Sequence, residues 1–334
     1  MSPLGQRSSL IFNPGPDECG LKLAAKRYIP RTTTPDGLTL LFAHNSGGHK
    51  EEWEPTLEEM LARQNPTRLK IREVWSVDWQ SHGEAGRINA PQLENRGPVS
   101  LHEWAYGIAA LLRSEHLRGH RVVGIGQSTG SSALVLATQH FPAHTLPFSG
   151  IIIVEPIMAS REYYRDFGPE RDKALGAAIA FLKRLETRWS TRDAAFEYMR
   201  GNFRWKSWDP RVLRIHVDQG LYESPTGEVY CNNQPELSAY QEIPPHLDAV
   251  DQYRRIAPLL PIHYIFGGKN SFASPESQQS IFDPERNIQP SSTQRIQNAR
   301  HLVVQENPTG LASAICIVLE TLSKEIVPSE RSRL

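Results

Sequence analysis

The sequence predicts an α/β protein: a mostly parallel sheet with helices on both faces and a helical segment inserted before the last strands. Three observations carry this. Between residues 38 and 155, apolar strand patterns alternate with helical ones in the order β-α-β-α-β-α-β, the arrangement that lays strands side by side under covering helices. The strands are short, continuous and apolar, as in Leu38–Ala43 and Ile151–Val154, which suits burial on both faces. From Ile157 to about Pro258 that rhythm stops and compact apolar strands are missing.

In chain order, Ser9–Phe12 is a short strand ended by Asn13-Pro14-Gly15, and Leu21–Ile29 is a longer, more polar one. Pro35-Asp36-Gly37 is a turn before the buried strand Leu38–Ala43. Trp53–Arg63 carries Trp53, Leu57, Met60 and Leu61 at helical spacing, and Leu69–Asp78 returns to a strand pattern. Ser100–Leu112 is a helix with Ser100 as N-cap and Glu103 at the capping-box position. Arg121–Ile125 is a strand, Gly126–Gly130 a tight turn, Ser131–Gln139 a helix and Ile151–Val154 a central strand. In the insertion, Lys173–Thr187, Arg192–Gly201 and Arg211–Gln219 are helix candidates. Pro261–Phe266 is again a buried strand, Thr293–Asn298 a weaker one, and Thr309–Ser323 a final apolar helix. The expected organisation is a core of residues 1–156 and 251–328, a lid of residues 157–250 and a flexible tail of residues 329–334.

Composition narrows the function classes. Thirty-seven basic residues balance 37 acidic ones, whereas phosphate-backbone binding needs a cationic surplus, so no nucleic-acid partner is expected. Cys19, Cys231 and Cys316 are odd in number and far apart, which argues against a disulfide framework or a structural zinc site. No metal or cofactor is expected. The N-terminus lacks an apolar run of signal-peptide length, and no stretch reaches the roughly 18 apolar residues of a transmembrane segment.

The chemistry concentrates at Gly126-Gln127-Ser128-Thr129-Gly130. A serine on a sharp strand-to-helix turn needs glycine neighbours for steric reasons. The turn lifts the Ser128 hydroxyl above the sheet and aims the Thr129 N–H at a developing oxyanion. The loop His44-Asn45-Ser46-Gly47-Gly48, after a buried strand, is the candidate for the second oxyanion donor, with the Ser46 N–H first and Gly48 second. His44 and His49 are expected to brace that loop. For a general base the chain order serine, acid, histidine selects His301, in the loop before the last helix; His263 lies within a strand pattern. The acid is less direct. The turn after Pro261–Phe266 carries Asn270 and no carboxylate before Glu276, and an amide cannot stabilise an imidazolium by charge. Glu155, closing the strand Ile151–Val154 at the sheet edge where such sites form, is the preferred acid; Asp248 and Asp251 are the alternatives.

The pieces HNSGGHKEEWEP, VDWQSHGEAGR, GIGQSTG, VEPIM and ARHLVVQENP together resemble the α/β-hydrolase superfamily over about residues 20 to 325. The resemblance implies a mostly parallel eight-stranded sheet with an inserted helical lid. More narrowly, the chain resembles fungal hydrolases of host-selective toxin clusters of the AK-toxin and ACT-toxin type, which are similar to a yeast peroxisomal lipase. That implies a small-molecule acyl or ester substrate, a role in toxin biosynthesis and virulence, and a peroxisomal location. The end Ser332-Arg333-Leu334 resembles the Ser-Lys-Leu address read by the peroxisomal import receptor.

The function expected is a serine hydrolase, of esterase, lipase or thioesterase type, acting on a small apolar acyl compound. Tyr163, Tyr164, Phe167, Trp189, Trp205 and Trp208 are expected either to line an acyl pocket or to pack the lid. The alternatives are a C–C hydrolase or acyltransferase on the same fold, and a catalytically silent small-molecule-binding protein.

Overall fold

A computed structural model describes residues 3–15, 20–64, 67–269, 273–286 and 288–324. Cys19, Asn270 and the tripeptide Ser332-Arg333-Leu334 lie outside the described residues. The chain opens with the antiparallel pair β1 (Gln6–Phe12) and β2 (Leu23–Ile29). Next come β3 (Leu38–Ala43), α1 (Glu54–Ala62), β4 (Ile71–Val77), α2 (Gly83–Leu93) and α3 (Leu101–Arg113). The elbow follows as β5 (Val122–Gln127) and α4 (Thr129–Ala137), then β6 (Phe148–Val154).

The inserted part contains α5 (Arg161–Leu182), β7 (Arg188–Trp189), α6 (Arg192–Gly201), α7 (Pro210–Ile215), β8 (Tyr222–Glu223), β9 (Val229–Tyr230), α8 (Gln234–Gln241) and α9 (Pro244–Ile256). The core resumes with β10 (Ile262–Gly267), α10 (Pro275–Gln279), β11 (Ser292–Ile296), α11 (Val303–Glu306) and α12 (Pro308–Lys324).

The main sheet has eight strands in the order β1-β2-β4-β3-β5-β6-β10-β11. β2 is antiparallel to both its neighbours, and every pair from β4/β3 to β10/β11 is parallel. This is the mostly parallel eight-stranded architecture the sequence predicts. Alternation along the central strands splits the core in two. Leu41, Ile151 and Ile153 pack into one layer with Trp104, Leu134 and Tyr253 from α3, α4 and α9. Leu40, Phe42, Ile152 and Val154 pack into the other with Leu57, Leu311 and Ile315 from α1 and α12. Each such fully buried side chain contributes about 1.5–3 kcal/mol, which is why apolar residues dominate the central strands.

The inserted part has its own small core of Trp189, Met199, Trp205, Trp208, Val212 and Val217, and a three-stranded sheet in the order β7-β9-β8. α9 runs through the expected lid boundary at residue 250 and packs with the main core through Val250, Tyr253 and Ile256. α5 starts at Arg161, twelve residues before the expected Lys173; the side chain of Ser160 caps it by accepting from the Tyr163 N–H. The expected helix Arg211–Gln219 divides into α7 and a π-helical turn, His216–Gly220.

Because β3, β5, β6, β10 and β11 run parallel, their C-terminal ends meet at one edge of the sheet. The loops leaving that edge carry Ser46, Ser128, Glu155 and His301.

Candidate active site

Ser128 stands between β5 and α4 with φ 54° and ψ −119°, a backbone conformation costly for any residue with a side chain. The surroundings enforce it. The Ser128 N–H donates to Val154 O at 2.9 Å, and the Ser131 hydroxyl donates to Gly126 O at 2.6 Å. A Cβ at Gly126 would lie 2.5 Å from Ser131 N, and one at Gly130 would lie 2.4 Å from Ala43 O. The two glycines of the motif therefore let the elbow close against itself and against β3.

His301 lies in the loop between β11 and α11, with Nε2 3.1 Å from Ser128 Oγ. Its Nδ1 is 3.1 Å from Glu155 Oε2. A carboxylate on Nδ1 holds the proton there and leaves Nε2 free to accept from the serine hydroxyl. Glu155 is 1% exposed and itself adopts a positive φ of 46°. Its backbone N–H donates to Ile265 O at 2.9 Å, and its Oε1 accepts from the Gly267 N–H at 2.5 Å. One carboxylate oxygen is thus pinned by β10 while the other meets the imidazole. The sequence reading did not include this Gly267 anchor. Asp248 and Asp251, the alternative acids, pair instead with Arg161 on the surface, and Asp248 also with His102.

The loop after β3 is partly engaged within itself. The Ser46 N–H donates to the Thr129 hydroxyl at 2.7 Å, and the Gly48 N–H to Asn45 O at 3.1 Å. Thr129 opens α4, so its N–H stands at the positive end of a helix dipole. His44 bonds through both ring nitrogens, Nδ1 to Asn45 O at 2.7 Å and Nε2 accepting from the Trp79 N–H at 3.0 Å. Burial lowers its pKa, so it remains a neutral brace. Behind the loop, Lys50 is fully buried with its ammonium 3.0 Å from Asp78 Oδ2, 3.0 Å from Glu51 Oε1 and 2.8 Å from Glu84 Oε2. Burial opposes that charge, but the three carboxylates outweigh it and raise the lysine pKa.

A cavity of about 370 Å³ opens on Ser128 and His301. Ile157, Leu175, Ala239 and Ile243 give it apolar walls; Arg171, Tyr240 and His246 add polar groups. None of the six lid aromatics lines it. Trp189, Trp205 and Trp208 pack the lid's own core, while Tyr163 and Phe167 line a neighbouring hollow that shares Ile157 and Arg171 with this cavity. His246 Nδ1 is 3.0 Å from the Ser132 hydroxyl, and burial pushes its pKa down to about 3. His263 sits on β10, 2.8 Å from Ser292 Oγ.

The comparisons agree with this geometry. Residues 40–314 match the family model described as alpha/beta hydrolase family. The type I acyl-CoA thioesterase mpaH of Penicillium roqueforti is 27% identical over 201 residues, covering 58% of this chain and 42% of that protein. The thioesterase mpaH' of Penicillium brevicompactum is 25% identical over 212 residues, 62% of this chain and 46% of its own. The chain therefore spans under half the length of the curated relatives it matches. Among solved structures, the peroxisomal alpha-beta-hydrolase Lpx1 of Saccharomyces cerevisiae superposes with a TM-score of 0.71 at 18% identity, over 98% of this chain and 91% of the other. With an elbow, a sheet order and a family match that all coincide, the chain belongs to the alpha/beta hydrolase family.

Proposed function

We propose that the protein is a serine hydrolase that cleaves an ester or thioester of a small, largely apolar acyl compound. The observation that supports this most directly is the continuous relay Ser128 Oγ–His301 Nε2–His301 Nδ1–Glu155 Oε2, with both links at 3.1 Å. In this reading Ser128 attacks the acyl carbonyl while His301 takes its proton, and Glu155 stabilises the imidazolium. The N–H groups of Thr129 and Ser46 receive the oxyanion, the latter once the Thr129 hydroxyl turns aside. His301 then protonates the leaving alcohol or thiol, and water releases the acyl group from Ser128.

The kinship with fungal acyl-CoA thioesterases favours a thioester substrate and a place in secondary metabolism, such as assembly of a polyketide or fatty-acid-derived host-selective toxin. Ser332-Arg333-Leu334 favours action in the peroxisome, delivered by the import receptor; removing the tripeptide is expected to leave a tagged protein in the cytosol, and retained puncta would refute that address.

A fluorophosphonate probe with peptide mapping tests the core of this proposal. A single adduct at Ser128, absent in Ser128→Ala, is expected. An unlabelled Ser128 in folded protein would instead point to a silent binding protein. Turnover of a panel of acyl esters and acyl-CoA thioesters, with Ser128→Ala as the blank, then ranks the substrates.

A further inference from the structure

A second group of buried titratable side chains lies behind the oxyanion loop, outside the relay just described. His49 follows Gly48 in that loop, Glu52 lies one helical turn further on, and His216 enters from the π-helical turn of the inserted part. A ring nitrogen of each histidine and a Glu52 oxygen all lie within 4.8 Å of one another. His49 is 2% exposed, yet its Nε2 makes no hydrogen bond; it stands 3.8 Å from Glu52 Oε1. A buried ring nitrogen with an unused lone pair normally costs stability unless something occupies it.

We propose that His49 Nε2, His216 Nδ1 and a Glu52 carboxylate oxygen form a binding site for a zinc-class divalent cation that fastens the inserted part to the core. The donor set is two imidazoles and a carboxylate, which suits zinc and leaves a fourth tetrahedral position. Metal–ligand bonds of about 2.0–2.1 Å separate neighbouring ligands by about 3.3 Å. The present separations from Glu52 Oε1, 2.7 Å to His216 Nδ1 and 3.8 Å to His49 Nε2, fall on either side of that value. Shifts of about half an ångström would bring both to that value.

The outer contacts fit as well. His49 Nδ1 is 2.9 Å from Glu51 Oε2, the carboxylate–histidine pairing that fixes a tautomer with Nε2 turned to a metal. The other Glu52 oxygen accepts from Gln305 Nε2 at 2.6 Å, so the ligand carboxylate is oriented too. Gly220 leaves room: a Cβ there would lie 3.0 Å from His49 Nε2. A cavity of about 440 Å³, lined by His49, His216 and Gly220, provides access and space for a water or small anion as the fourth ligand. π-helical turns recur at functional sites, and this one brings His216 to Glu52.

The site has a physical link to the hydrolytic centre. Gln305 Nε2 also donates to Asn45 Oδ1 at 3.0 Å, and its Oε1 accepts from Gln127 Nε2 at 3.2 Å. Asn45 adjoins Ser46, and Gln127 adjoins Ser128. A cation on Glu52 would therefore stiffen the oxyanion loop and the elbow from behind without touching substrate.

The test uses the full chain, stripped with a chelator, reloaded with zinc and freed of excess by gel filtration. Metal analysis is expected to find one zinc per chain in the wild type and in Ser128→Ala, which separates this site from the hydrolytic reading. The double variant His49→Gln/His216→Gln is expected to lose the ion and the zinc-dependent rise in Tm. Gly220→Ala, which keeps every ligand, should weaken zinc at least tenfold in competition with a chromogenic chelator. Cobalt substitution should give a tetrahedral spectrum without a thiolate charge-transfer band. Failure of folded wild type to retain zinc, unchanged stoichiometry in the double variant, or a thiolate band assigning the ion to Cys231 would each overturn the site. If the double variant does not fold, the Gly220→Ala affinity and the cobalt spectrum still decide.

Discussion

At the scale of single residues, the relay depends on one carboxylate. Glu155→Gln retains size and can still accept from the Gly267 N–H, but it loses the charge that stabilises the imidazolium. Turnover is expected to fall on the order of 10⁴-fold with little change in KM, by the logic of a lost triad acid. Steady-state kinetics on whichever ester or thioester proves best will show it; activity within tenfold of wild type would remove Glu155 from the relay. His246 gives a prediction of a different kind. Burial lowers its pKa from the ordinary value of 6.5 to about 3, so the folded state favours the neutral ring. A depressed histidine pKa contributes stability that is complete above about 6.5 and is lost as pH falls toward 3. His44 and His82 are lowered by the same cause and act in the same direction. Urea midpoints should therefore fall steadily below pH 6.5, and His246→Gln should flatten part of that slope. An unchanged slope in the variant would assign the acid sensitivity elsewhere.

These residues differ in how readable they were. Ser128 carries its own signature, because the steric demand for Gly126 and Gly130 is written into adjacent positions. His301 is readable from its order in the chain and the apolar helix after it. Glu155 follows from an electrostatic oddity, a charge closing an Ile-Ile-Ile-Val strand. By contrast, the Gly267 N–H on Glu155, and His246 and Arg171 in the cavity, depend on contacts between distant segments, and nothing local to them announces such a contact.

At the scale of elements, α4 and β3 constrain each other closely. With its would-be Cβ 2.4 Å from Ala43 O and 2.5 Å from His44 O, Gly130 cannot gain a methyl group unless the helix start or the strand end moves. Gly130→Ala is expected to cost about 1–3 kcal/mol or more, and to reduce turnover by shifting Ser128. Chemical denaturation alongside kinetics checks both, and a fully stable, fully active variant would contradict this packing. Strong local signals gave elements that match: Ser100 and Glu103 form the full capping box on α3. α2 escaped the sequence reading because Gly83, Gly86 and Pro91 are poor helix formers. It is supported from outside, with Asp78 Oδ2 accepting from the Glu84 N–H at 2.9 Å. α5 extends N-terminal to the expected Lys173 through Gly168 and Pro169, which lie inside it and weaken the helical pattern.

At the scale of the whole molecule, a mostly parallel sheet was legible because its buried strands are short and largely apolar. The inserted part was legible as a change of rhythm and as the helix Arg192–Gly201, which α6 matches. Its two-residue strands are too short to leave a periodicity, and a local cluster of tryptophans packs beside them. Its attachment to the core is polar as well as apolar. Arg204 pairs with Glu236, whose carboxylate fills the space beside Gly47, so the insertion touches the oxyanion loop itself. Among the described residues no helix is long and apolar enough to cross a membrane.

The hydrogen bond from the Ser128 N–H to Val154 O has a wider consequence. Ser128 and Glu155 each follow directly from the ends of adjacent strands, so their spacing is set by the rungs of a ladder rather than by the conformation of a loop. Gly267, the last residue of β10, supplies one backbone N–H to the Glu155 carboxylate. For protein engineering, a short flexible peptide spliced in after Lys269 is expected to leave turnover largely intact, whereas the same splice between Val154 and Glu155 should abolish it.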